Sequence, residues 1–91
     1  MIIVAGYTLI DPSKRDAAIA AFRPHIESAR TQGGCIDFAV SADPVDERRI
    51  NLFELWSDQE ALQASWKTAN PPKLDTIETK VQIYSAAVME D

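Results

Sequence analysis

The sequence predicts an α+β fold of order βαββαβ, a four-stranded antiparallel sheet with its helices on one face. Three observations predict it. Runs of β-branched and aromatic residues alternate with runs whose apolar residues recur at spacings of three and four. The second and third strands are joined by a stretch too short and too polar for a helix, and 91 residues suffice for one unit of this kind but not two. Residues 1–91 are read as a single domain.

Ile2 to Ile10 opens the chain as a strand, with Ile2, Val4, Gly6, Thr8 and Ile10 on one face and Ile3, Ala5, Tyr7 and Leu9 on the other. Both faces are apolar enough to be covered. Asp11-Pro12 supplies an N-cap and a proline at the first helical position, with Ser13 and Asp16 as an alternative capping pair. From Lys14 to Gln32 the stripe of Ala18 or Ile19, Phe22, Ile26 and Ala29 faces the core. Pro24 removes a backbone donor inside that run, so the helix kinks or tightens near residues 20 to 24, and Gly33-Gly34 ends it as a C-cap pair.

Cys35 to Ala42 alternates as a second strand, with Ile36, Phe38 and Val40 on one side. Asp43 to Glu47 is turn chemistry, and Ile50 to Trp56 returns antiparallel as the third strand. Ser57-Asp58-Gln59-Glu60 reads as a capping box led by Ser57, opening a second helix with the stripe Ala61, Leu62, Ser65, Trp66 and Ala69. That helix stops before Asn70-Pro71-Pro72. Leu74 to Thr79 is read as a short helical turn and Val81 to Met89 as the last strand. With both helices on one face and the first and last strands apolar on both sides, the free sheet face calls for a second copy of the chain, a homodimer.

Composition removes several function classes. Nine Lys and Arg against 14 Asp and Glu leave a formal charge of -5, which a nucleic-acid backbone repels, and the basic residues form no patch. One cysteine, Cys35, makes no intrachain disulfide, and one histidine, His25, gives no metal site without an unusual carboxylate set. The N-terminus lacks a basic region and meets Asp11 too soon for a signal peptide or a membrane span. A cytoplasmic protein with no metal, no nucleic acid and no membrane partner is expected. No phosphate loop, paired-cysteine motif or Ser-His-Asp order is present.

Several segments together carry a resemblance: Met1 to Gly6, Asp11 to Asp16, Ala21-Phe22-Arg23-Pro24, Gly34 to Phe38, and Phe53-Glu54-Leu55-Trp56-Ser57-Asp58-Gln59-Glu60-Ala61-Leu62. Across nearly its whole length the chain resembles the antibiotic biosynthesis monooxygenase family. The resemblance implies a ferredoxin-like, dimeric α+β barrel that oxidises phenols, quinols or anthrones with O2 and without metal, flavin or haem. The implied partners are an aromatic small molecule, O2 and a second copy; the implied cofactor is none. The chemistry is reasonable for such a protein, because an electron-rich phenolate passes electrons to oxygen itself once it is deprotonated, oriented and kept dry.

The chain departs from the family pattern in its second helix. Many relatives carry a His at the position of Ser65 and another at that of Asn70. In the haem-degrading branch a first-strand Asn and a second-helix Trp correspond to Gly6 and Ser65, so haem binding ranks below both oxygenase and silent ligand-binding module.

The catalytic candidates are His25, the one side chain titrating near neutrality, and Trp66, whose indole could hold a flat ring and orient an oxygen. Each has a plainer alternative: a lone histidine is commonly a boundary residue, and Leu62 and Trp66 at i,i+4 are first a core-packing pair. Tyr7, Phe22, Asn51, Ser65 and Tyr84 are the substrate-binding candidates, polar or aromatic groups on or beside the apolar stripes. Glu54 interrupts the apolar third strand and is either a buried carboxylate whose raised pKa suits proton transfer or, the preferred assignment, a sheet-rim residue on the side of Leu52 and Trp56 paired with a basic side chain; Cys35 is assigned to the core as a small hydrophobe.

Overall fold

The structure is a computed structural model that describes residues 1–90. Its elements are β1 (Ile2–Ile10), α1 (Pro12–Ala21), α2 (Arg23–Arg30), β2 (Cys35–Ala42), β3 (Arg49–Trp56), α3 (Gln59–Thr68) and β4 (Thr76–Ser85). The strands form one antiparallel sheet in the order β2-β3-β1-β4, the α+β arrangement expected from the βαββαβ order.

The first helical stretch is divided by Pro24, as its missing N–H requires. α1 is capped by the Asp11 carboxylate, which accepts from the Ser13 amide at 2.9 Å. The turn tightens at Phe22, whose N–H donates to the Ile19 carbonyl at 3.1 Å, and α2 then resumes regular bonding with Ile26 N–H to the Phe22 carbonyl at 2.9 Å. Neither Gly33 nor Gly34 takes the left-handed conformation of a C-cap pair; α2 ends earlier, at Thr31. Gly34 serves a close approach instead: a Cβ there would run into the Cβ of Ala61 on α3 and reach Ser57 Oγ at 3.1 Å. Gly6 answers the same need between strands, because a Cβ would strike the Lys80 carbonyl of β4.

Register assigns the faces. Val4 lies opposite both Glu54 and Ile83, and Phe38 opposite Glu54, so Val4, Phe38, Leu52, Glu54 and Trp56 share the side that the helices cover. Two buried clusters fill it: Val4, Ala29, Phe38, Trp56 and Leu62, and, towards α1, Ile10, Ala18 and Ile50. The other face carries Ile3, Ala5, Tyr7, Leu9, Phe53, Leu55 and Tyr84, and no helix among the described residues lies on it.

Four local expectations are corrected. A register shift between Cys35 and Asp37 turns Ile36 outward and Cys35 inward, so Ile36 does not share the face of Phe38. The cap of α3 is Asp58, which accepts from the Ala61 amide at 2.8 Å, while Ser57 spends its amide on the Gly34 carbonyl. Residues 74–79 hold no helical turn. β4 starts at Thr76 and ends at Ser85 because it pairs with β1 along that strand's whole length, and the backbone bonds of the sheet outweigh a weak local helical tendency. No helix of the described residues is long and apolar enough to cross a membrane.

Candidate functional site

Between the sheet and the pair α2 and α3 lies a cavity of about 390 Å³. α2 supplies His25, Ser28 and Ala29; β2 and β3 supply Phe38, Leu52, Glu54 and Trp56; α3 supplies Ser65 and Trp66. Phe22, at the break before α2, and the Asn70-Pro71 segment close its ends. α2 is held over this floor by Arg30, whose Nε and Nη2 donate to the Phe38 carbonyl at 3.0 and 2.7 Å. The same tie places the His25 ring edge-on to Phe38, with centroids 5.3 Å apart, and 6.4 Å from the Phe22 ring.

Glu54 is the polar feature of the floor. Its Oε1 accepts from the Trp56 indole N–H at 3.0 Å, and no Lys or Arg among the described residues pairs with it. Burial pushes its carboxyl above the usual glutamate value, against a smaller opposing pull from that indole bond. Burial also acts on His25, holding its imidazole below the ordinary value, which favours the neutral, proton-accepting ring. Cys35, beside the floor, has its thiol pushed up by burial and by the charges of Glu54 and Asp37, which keeps it an unreactive thiol.

Of the candidates read from sequence, His25, Phe22, Ser65 and Trp66 are brought together in this cavity. Trp66 stands at its rim, 55% exposed, and not in the core pair with Leu62; Leu62 and Ser65 are the buried residues of α3. Ser65 Oγ donates to the Leu62 carbonyl at 2.6 Å, which leaves only its lone pairs for a ligand.

Tyr7, Asn51 and Tyr84 are not in this cavity; register sets all three on the open face. There the Arg49 guanidinium lies 4.1 Å over the Tyr7 ring and donates to Asn51 Oδ1 at 2.6 Å, and Asn51 Nδ2 donates to Asp43 Oδ1 at 3.0 Å. The Tyr84 hydroxyl bonds to Gln82 on its own strand.

Glu54 follows the less favoured of its two readings, the buried carboxylate rather than the paired rim residue. Its alternation with Leu52 and Trp56 was sufficient to set it on the covered face, but the expected basic partner is absent among the described residues. No group of three or more His, Cys, Asp or Glu gathers among the described residues.

Comparison with known proteins bears on the family and the fold. A sequence model of the antibiotic biosynthesis monooxygenase family matches residues 1–82. An uncharacterized protein of Synechocystis is 28% identical over 93 residues; the match takes in 94% of this chain and 63% of that protein, so the chain spans less than two thirds of its relative. Among solved structures, a Nitrosomonas europaea protein provisionally named an antibiotic biosynthesis monooxygenase superposes with a TM-score of 0.77 at 18% identity, over 97% of this chain and 100% of that one. A conserved protein from Methanosarcina mazei superposes with a TM-score of 0.75 at 22% identity, over 91% and 89% of the two chains. At such identities the superpositions establish the fold.

Proposed function

The chain belongs to the antibiotic biosynthesis monooxygenase family, and from that premise we propose that it oxidises a phenolic or quinol aromatic molecule with O2, without a cofactor, in the cavity beneath α2 and α3. One observation carries this reading: the chain's single imidazole, whose neutral form burial favours, and a carboxyl with no basic partner among the described residues face the same aromatic-walled cavity.

A phenol stacked among Phe22, Phe38 and Trp66 gives its O–H proton to His25. The phenolate then reduces O2. For a phenol with a free para carbon, one oxygen atom bonds to that carbon and the O–O bond breaks. The ring supplies four electrons, and the second oxygen leaves as water with the hydrogens of the former O–H and C–H. The product is the quinone. Glu54, which holds its proton more tightly than an ordinary glutamate, is the group set to return a proton to the departing oxygen, and the apolar walls exclude competing water. The open sheet face, apolar around the Arg49–Asn51–Asp43 network, is proposed to pack on a second copy of the chain.

A second reading, a ligand-binding module that does no chemistry, is favoured by Ser65. Its hydroxyl is engaged by the Leu62 carbonyl at a position where many relatives carry a histidine. Oxygen uptake by metal-stripped protein over a panel of naphthols, naphthohydroquinones and anthrones separates the two. Uptake above the spontaneous rate, reduced in His25→Ala and Trp66→Phe, supports the oxygenase; ligand-dependent thermal stabilisation with no uptake by any compound supports the module.

A further inference from the structure

We propose that the site has two chambers, the second receiving a short apolar substituent carried by the aromatic substrate, with Phe22 as the residue that divides them. The inference rests on the reading of the first cavity as an aromatic site. Beside that cavity lies another of about 270 Å³, walled by Val40, Ile50, Leu52, Leu74 and Val81. Phe22 and Leu52 belong to both cavities, so their side chains are the partition. The closing loop is shared as well: Pro71 lines the first chamber and Pro72, the next residue, lines the second.

The two chambers differ in chemistry. The first holds His25 and Glu54, whereas no charged side chain lines the second. Of the hydroxyl-bearing residues along it, Tyr7, Thr8, Thr76 and Thr79, two engage each other: Thr8 Oγ1 lies 2.8 Å from Thr79 Oγ1 and donates to the Glu78 carbonyl at 3.0 Å. Such a space offers a ligand mainly burial of carbon and no charged anchor. A lone hydrocarbon would enter it without orientation. An alkyl group attached to a ring already held in the first chamber passes Phe22 into it with the ring fixing its direction. The substrate class is therefore a phenol or quinol with an aliphatic side chain.

Calorimetric titration of 1-naphthol and of its methyl to pentyl derivatives, substituted at C2 or at C4, tests this on the whole chain. In the wild type, affinity for one of the two series rises about threefold to fourfold per methylene over the first few carbons. Two separate substitutions on β4, Thr79→Phe and Val81→Phe, fill the chamber and flatten that dependence on chain length, whatever either does to the binding of 1-naphthol itself. An affinity independent of chain length in both wild-type series overturns the inference, as does a slope that survives in both filled variants. Because the readout is binding, tight and length-dependent binding without oxygen uptake overturns the oxygenase reading and leaves the two chambers standing. Failure of every naphthol to bind overturns both.

Discussion

Glu54 on the covered face of β3 and Asp43 in the turn that leads into it, beside the open face, are carboxylates whose surroundings push them in opposite directions. Glu54 is raised by burial, with one indole N–H in partial compensation. Asp43 is lowered, first by its bond from the Asn51 side chain and then by the Asp46 and Val45 amides, with the charge of Arg49 adding. The same contrast runs across the sheet. On the covered side the polar groups are few, enclosed and left without counter-charges; on the open side they form a satisfied network among apolar neighbours. Chemistry needs the first kind of environment, where an unpaired carboxyl is held to its proton by burial, and recognition of another surface needs the second.

The largest expected effect separates the two faces by activity. If the covered face is the site, His25→Ala lowers kcat by roughly 10²–10⁴ as a lost general base does, while Asn51→Ala on the open face leaves the rate per folded protein nearly unchanged. The wild-type rate rises with pH along a limb set by His25, centred below 6.5. A limb well above 6.5 would mean that another group carries the proton.

Next comes stability. Leu62, 1% exposed in the covered cluster, is expected to cost about 2–5 kcal/mol on truncation to Ala, with a fall in Tm that does not depend on protein concentration. Phe53→Asp on the open face acts through assembly instead: light scattering shows a smaller particle, and Tm becomes insensitive to dilution. A wild type that scatters as a monomer at micromolar concentration removes the proposed role of this face.

The smallest effects concern pH and stability. Glu54 binds its proton more tightly in the folded chain, so its contribution is fully present below its unfolded value near 4.5 and is lost as pH rises through the higher folded value. Glu54→Gln is therefore more stable than wild type at neutral pH, and the difference closes towards pH 4. Asp43 has the opposite sign: its contribution is present above its unfolded value near 3.8 and is lost as pH falls through the lower folded value. Asp43→Asn is accordingly less stable at neutral pH and converges with wild type in acid. Urea denaturation at pH 3.5, 5 and 7 measures both; equal behaviour of the two variants would remove the contrast.

Much of the covered face was legible in the sequence because short-range rules fix it. Alternation set β1, and the missing N–H of Pro24 set the division between α1 and α2. What escaped depends on distant partners. β4 begins at Thr76 because β1 offers a full row of backbone bonds, information absent from the Leu74 to Thr79 segment itself. Ile36 turns outward through a one-residue register shift that alternation assumes away. Trp66 leaves the core because Leu62 and Ser65 occupy the face of α3 that meets the sheet, which puts the next residue at the rim. Glu54 was placed on the right side and given the wrong partner, since only the assembled fold shows that no Lys or Arg among the described residues pairs with it.

Amide and indole chemical-shift mapping during a titration with 1-naphthol tests the central claim most directly. The account predicts that the largest changes fall on His25, Glu54, Ser65 and the indole N–H signals of Trp56 and Trp66, with Ile3, Phe53 and Tyr84 on the open face little moved. Changes concentrated on those open-face residues, with His25 and Trp66 unmoved, would contradict it.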